Sequence, residues 1–200
     1  MKALDLYAGL GVYTLALREA GIEVVAAAES EPWRARAYEA HHGDIVPLLY
    51  ADSAVCIEAH PGVDLWCACV GVAALRELVA RPDLPPWLWL ESVREPFDAI
   101  RDALTAKGYT LTGWDACGRR HLVAGPKAIE VPTDWEAIRL QHPDVDVRQR
   151  VPFEVQEAKL DLPPGWTAAA GATDRQRQGA LGSASHAGML RCVARLIAAG

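Results

Sequence analysis

Residues 3 to 29 follow an order that few folds can use. Ala3-Leu4-Asp5-Leu6-Tyr7-Ala8 is an almost unbroken apolar run that ends in Gly9-Leu10-Gly11, a bend that only small residues make cheaply. Tyr13, Leu15, Ala16, Leu17 and Ala20 then recur at helical spacing, and Gly21 stands where a helix-terminating glycine belongs. Ile22 to Ala28 reads as a second strand, closed by Glu29. A strand that passes through glycines into a helix presents backbone amides and a helix N-terminus at the carboxyl edge of a parallel sheet, where such folds bind ligands. An acid at the end of the next strand can accept hydrogen bonds from both hydroxyls of a ribose. Glu29 follows the turn by roughly twenty residues, as a dinucleotide-type fingerprint requires. Spacing alone leaves a plain capping role for Glu29 open.

The rest of the chain repeats the alternation. Pro32 to His41 suits a helix with proline in its first turn, Val63 to Val70 a third strand, and Trp87 to Val93 a fourth. Pro96 to Lys107 has helical spacing and is closed by Gly108. Tyr109 to Trp114 and His121 to Ala124 read as a hairpin about Gly118. An α/β fold follows, a mostly parallel sheet with helices on both faces. From 126 to 171, prolines at 132, 143, 152, 163 and 164 break the pattern, and an irregular excursion with one short helix near Trp135 to Gln141 is expected. Ala180 to Ala199 is helical again. With 200 residues, 51% of them apolar, one hydrophobic core suffices. The expected organisation is a single domain, with a core in 1–125, the excursion in 126–171 and a closing segment in 172–200.

The particular residues of the opening say more than their spacing. Asp5-Leu6-Tyr7-Ala8-Gly9-Leu10-Gly11-Val12-Tyr13, then Leu17, Glu19-Ala20-Gly21, Ala28-Glu29 and Trp33, resembles the first two motifs of the C5-cytosine DNA methyltransferases. The resemblance implies a Rossmann-like S-adenosylmethionine-dependent methyltransferase fold, with S-adenosylmethionine as cofactor. It implies that Asp5, Tyr7, Ala8, Gly9 and Gly11 line the cofactor and that Glu29 takes the ribose. Asp52 would receive the adenine amino group, with Asp44 a competitor for that role.

Methyl transfer to cytosine C5 requires a thiolate that adds at C6, acid and base groups around the ring, and a base flipped out of the stack. The family carries the thiolate in a Pro-Cys-Gln turn after a strand. In Val63-Asp64-Leu65-Trp66-Cys67-Ala68-Cys69-Val70-Gly71-Val72 that turn falls on Gly71-Val72, and valine is no nucleophile. Cys69 and Cys67 lie a few positions earlier, where a shifted loop would present one of them; packing cysteines of an apolar strand are the competing reading. Cys117, beside Gly118-Arg119-Arg120, has electropositive neighbours. Leu88-Trp89-Leu90-Glu91-Ser92-Val93 resembles the family's Glu-Asn-Val strand, which makes Glu91 the cytosine-reading acid, with Ser92 replacing the asparagine. Arg119-Arg120-His121-Leu122-Val123 resembles the Gln-x-Arg-x-Arg strand, with Arg120 in register with the arginine that contacts the base. Glu91, Arg120 and Cys69 are thus the candidate catalytic residues.

Leu162-Pro163-Pro164-Gly165-Trp166-Thr167, followed by Arg175, Arg177 and Ala180-Leu181-Gly182-Ser183-Ala184, resembles the motif with which the family completes its cofactor pocket, Ser183 replacing the asparagine. The interval between Gly125 and Gly182 leaves little room for a target-recognition domain. The net charge of −6 also lacks the basic excess that neutralises phosphates. Nucleic-acid binding by the chain alone is therefore expected to be weak, and a partner protein or a homo-oligomer is expected to supply missing parts. The five cysteines have no C-x-x-C spacing, so free thiols and no metal site are expected. The opening residues lack a secretory pattern and no apolar run has membrane-spanning length, so a cytoplasmic, non-membrane protein is expected.

Overall fold

The computed structural model describes residues 1–49, 52–92, 97–116, 119–132, 152–183 and 185–200. Seven strands form one sheet: β1 (Lys2–Leu6), β2 (Glu23–Ala28), β3 (Leu48–Leu49), β4 (Leu65–Cys69), β5 (Trp87–Ser92), β6 (Thr110–Ala116) and β7 (Arg119–Gly125). They lie in the order β3-β2-β1-β4-β5-β7-β6. The first five are parallel; β7 inserts antiparallel beside β5, and β6 folds back antiparallel on β7. The helices among the described residues are α1 (Val12–Glu19), α2 (Pro32–His42), α3 (Ser53–Ala59), α4 (Val72–Ala80), α5 (Asp98–Ala106), α6 (Phe153–Lys159), α7 (Asp174–Ser183) and α8 (Ala187–Ala198). A 3₁₀ turn spans Trp166–Gly171.

The central strands are apolar along their whole length because both of their faces are covered, and alternation sorts their side chains between two cores. Ala3, Leu65, Cys67, Trp87 and Trp89 pack with Leu17 of α1, Tyr38 of α2 and Val193 of α8. Leu4, Leu6, Trp66, Ala68, Leu88 and Leu90 face the other way, onto Ile57 of α3, Leu75 of α4 and Ile100 of α5. Removing either helical layer would expose the apolar side chains of several strands at once, at about 25 cal/mol per Å² of apolar surface.

Several details differ from the sequence reading. β3 is only two residues long, and α3 and α4 were not anticipated. Within 126–171, Phe153–Lys159 is helical, anchored by the buried Glu157, whose carboxylate accepts the amides of Gly165 and Thr167 at 2.6 and 2.7 Å. The helix expected near Trp135 to Gln141 lies outside the described residues. The closing helix is two helices, because Ser185 and His186 interrupt it and His186 Nδ1 accepts the Met189 amide as the N-cap of α8.

Candidate cofactor and catalytic site

The chain moves outward from β1 to β2 and β3 on one side, then returns to place β4 on the other. Ligands of open α/β sheets bind outside the carboxyl ends of the strands at such a reversal. The turn at the end of β1 is shaped by left-handed backbone: φ is 60° at Tyr7, 56° at Gly9 and 77° at Gly11. A side chain at φ near 60° is uncommon outside constrained sites, and Tyr7 carries one. Gly11 is required twice over. A Cβ there would stand 2.4 Å from His42 Cδ2, and its carbonyl lies 3.0 Å from His42 Nε2.

Glu29 closes β2 as the sequence predicts, and its carboxylate is turned onto the glycine bend. Oε2 accepts the Gly9 amide at 2.9 Å and Oε1 accepts the Glu31 amide at 2.7 Å. Each oxygen keeps a further acceptor direction. Beside the bend is a cleft, open to solvent, lined by Tyr7, Gly9 and Leu10 of the turn, Tyr13 of α1, Arg34 of α2 and Cys69 of β4. Ala8 lines it as well.

Asp5 is buried beneath the turn rather than facing the cleft. Its Oδ2 accepts the Thr14 amide and hydroxyl at 3.0 and 2.7 Å, and Thr14 Oγ1 lies 2.9 Å from the Tyr38 hydroxyl. Burial pushes the Asp5 carboxyl up to about 7, against the Thr14 hydrogen bonds. Its place makes it a support of the turn. Asp52 is exposed and serves as the N-cap of α3, accepting the Ala54 and Val55 amides at 2.9 and 3.3 Å through Oδ1 alone. Asp44 is exposed in the turn after α2.

At the catalytic end, Glu91 is wholly buried at the end of β5. Its Oε2 accepts the Tyr13 hydroxyl at 2.7 Å, Ser185 Oγ sits 2.6 and 2.5 Å from its two oxygens, and Arg119 Nη1 donates to Oε1. His121 Nδ1 lies 3.7 Å from Oε2. Burial works to raise the Glu91 pKa, but His121, Arg119 and the hydroxyl donors outweigh it and hold it below the ordinary value. The arginine that reaches this acid is Arg119, with a 4% exposed side chain, and not Arg120, which is 46% exposed and 3.7 Å from Asp115. Strand alternation is the reason: His121 pairs with Glu91 and Arg120 with Ser92, so Arg119 and His121 share the face of Glu91 while Arg120 points away. His121 stacks on Trp114, ring centroids 5.0 Å apart.

Cys69 ends β4, half-buried at the cleft, with Arg119 Nη1 3.5 Å from its sulfur. Burial and then the Glu91 charge push its thiol well above the ordinary value, against the pull of Arg119. Cys67 is fully buried and its thiol is likewise raised. Val72, where the family's cysteine was expected, begins α4 and packs into the core at 2% exposure. Cys117 and the side chain of Ser183 lie outside what the structure describes. Sequence reasoning missed Tyr13, Arg119 and Ser185 as partners of Glu91. The hydroxyl two residues beyond Ser183 was visible but carried no signal of its own. Among the described residues no group of His, Cys, Asp and Glu could hold a metal ion, and no helix is long and apolar enough to cross a membrane.

The family profile of the C-5 cytosine-specific DNA methylases matches residues 1–54, the stretch that holds the turn and Glu29. Over this segment the chain is similar to that family. No curated protein matches it in sequence. Among solved structures, the Dnmt2 methyltransferase of S. pombe superposes with a TM-score of 0.69 at 14% identity, over 100% of this chain and 97% of that one. A triple mutant of Spodoptera frugiperda DNMT2 gives 0.70 at 11% identity, over 98% and 99%. A putative DNA modification methyltransferase of an E. coli prophage gives 0.51 at 14% identity, over 67% of this chain and 49% of that one. At these identities the likeness speaks for the fold, which is the α/β Rossmann-like methyltransferase fold.

Proposed function

We propose that the chain is a C5-cytosine methyltransferase-like protein that binds S-adenosylmethionine in the cleft beside the glycine turn and does not methylate cytosine alone. The observation that supports the binding half is the Glu29 carboxylate held 2.9 Å from the Gly9 amide, which sets the acid against the bend that lines the cleft. The donor set suits the ligand. Glu29 retains acceptor directions for a ribose, and the cleft beside the bend opens to solvent. A Cβ on Gly9 would meet only the Tyr7 carbonyl, at 4.0 Å, so the bend leaves its outer side open. Bound there, the cofactor would supply an electrophilic methyl group. Tyr7, Ala8, Gly9 and Gly11 would shape its seat and Glu29 would orient it; Asp5 would stiffen the turn from below and Asp52 would hold α3. Ser183 is placed by sequence alone.

The silent half rests on Glu91, Val72 and Cys69. A buried acid saturated by Tyr13, Ser185 and Arg119 has no free edge for a flipped base. Val72 offers no thiol, and the raised Cys69 thiol is protonated at neutral pH. The position of Cys69 at the cleft beside Arg119 favours a second reading: a partner chain that repacks Ser185 would free Glu91, and with Arg119 turned to Cys69 the chain would methylate a pyrimidine in nucleic acid. Weak binding of nucleic acid alone, from the net charge of −6, agrees with both. Labelled methyl transfer from S-adenosylmethionine to DNA and RNA tests the choice. No transfer by wild type or Cys69→Ala is expected, and transfer that the substitution abolishes would overturn the silent reading.

A further inference from the structure

Arg34 lines the cleft together with Gly9, whose amide donates to Glu29, and with Tyr13 and Cys69. Arg34 lies in the first turn of α2, whose N-cap Glu31 donates its amide to Glu29, yet its side chain lines the compartment bounded by Tyr7, Gly9, Tyr13, Cys69 and Ser185. Of the residues that line this compartment, Arg34 alone carries a formal charge at neutral pH: burial keeps the Tyr13 phenol and the Cys69 thiol neutral. Glu91, behind them, is already paired with Arg119. Among the described residues no carboxylate pairs with Arg34, whose guanidinium carbon lies 5.7 Å from the ring centroid of its neighbour Trp33.

A half-buried guanidinium facing a cleft of neutral walls is a site for an anion, and its planar fork fits a carboxylate bidentately. We propose that Arg34 reads the carboxylate of the amino-acid tail of a nucleoside ligand, making it a specificity residue that separates such ligands from the bare nucleoside. The inference rests on the nucleoside reading above and adds the part of the ligand that lies beyond the ribose. A ligand whose ribose meets Glu29 must extend past the Gly9 bend to enter the Arg34 compartment, and the group that follows C5′ in S-adenosylmethionine and S-adenosylhomocysteine is an amino acid. The sign of the charge adds a second consequence: the guanidinium disfavours the sulfonium cation relative to the neutral thioether, so S-adenosylhomocysteine gains relative to S-adenosylmethionine.

Calorimetric titration of wild type, Arg34→Ala and Arg34→Lys with S-adenosylhomocysteine and with 5′-methylthioadenosine, which lacks the amino-acid tail, tests this. Wild type should prefer the tailed ligand, and Arg34→Ala should lose about tenfold or more in affinity for it, as a charge-assisted pair implies, while 5′-methylthioadenosine changes less than about twofold. Arg34→Lys should recover part of the loss. Unchanged affinity for S-adenosylhomocysteine in Arg34→Ala, or parallel loss of both ligands, would overturn the role of Arg34 and leave the nucleoside site standing. Failure of wild type to bind either ligand would overturn both readings.

Discussion

The Tyr13 hydroxyl donates to Glu91 Oε2 at 2.7 Å, tying the first turn of α1 to the end of β5. The Tyr13 ring meets Trp89 edge to face at 4.8 Å, so its position is set by packing as well. Tyr13→Phe keeps the ring contact and removes one donor from a buried carboxylate. Denaturant titration should show a loss of about 1–3 kcal/mol, the range for a hydrogen bond to a buried charged group.

Arg119 and Arg120 are adjacent in sequence and opposite in consequence. Arg119→Ala strips the cation from a fully buried Glu91 and should cost about 3–5 kcal/mol of folding stability. Arg120→Ala removes an exposed side chain loosely paired with Asp115 and should change stability by less than about 0.5 kcal/mol. Equal effects in the same unfolding assay would mean that the face assignment of β7 is wrong.

Gly11→Ala meets two penalties, a left-handed backbone and a Cβ 2.4 Å from the His42 ring. A destabilisation of about 2–4 kcal/mol is expected, of which about 1–2 belongs to the backbone alone. Adding His42→Ala should relieve the larger part of the clash and leave the backbone part together with the 2.9 Å approach to Tyr38 Cδ2, a non-additivity visible in the double-mutant cycle.

Two groups that support the turn titrate with opposite sign. Burial raises the Asp5 carboxyl from 3.8 to about 7, so between those values the folded state binds the proton that the unfolded state has released, and stability falls as pH rises, levelling above about 7. Burial lowers His42 from 6.5 to about 4, so there the unfolded state holds the extra proton and stability rises with pH. Asp5→Asn should flatten the decline toward neutrality and stabilise the protein at pH 8, and His42→Gln should remove the opposing rise. Stability measured at intervals from pH 4 to 8 separates the two slopes.

How much was legible follows from the range of each signal. The opening strand, turn, helix and acid announce themselves because glycine and charge punctuate an otherwise apolar stretch, and Glu29 lies within one βαβ unit of the turn it serves. α4 was hidden although Val72, Leu75 and Val79 have helical spacing, because the apolar run of β4 flows into it through Val70 and Gly71 with no polar break. Two residues of β3 carry no pattern at all. Arg120 was chosen over Arg119 because one residue of strand register flips a side chain to the opposite face, and only pairing with β5 sets that register. Ser185 reaches Glu91 across the fold, and no local spacing encodes that contact.

Calorimetric titration of the wild-type chain and Glu29→Ala with S-adenosylmethionine goes straight to the shared site of Glu29 and Gly9. A single saturable binding event in wild type, weakened about tenfold or more when the ribose acceptor is removed, is the predicted result. No binding heat at millimolar cofactor, or the same affinity without the Glu29 carboxylate, would contradict it.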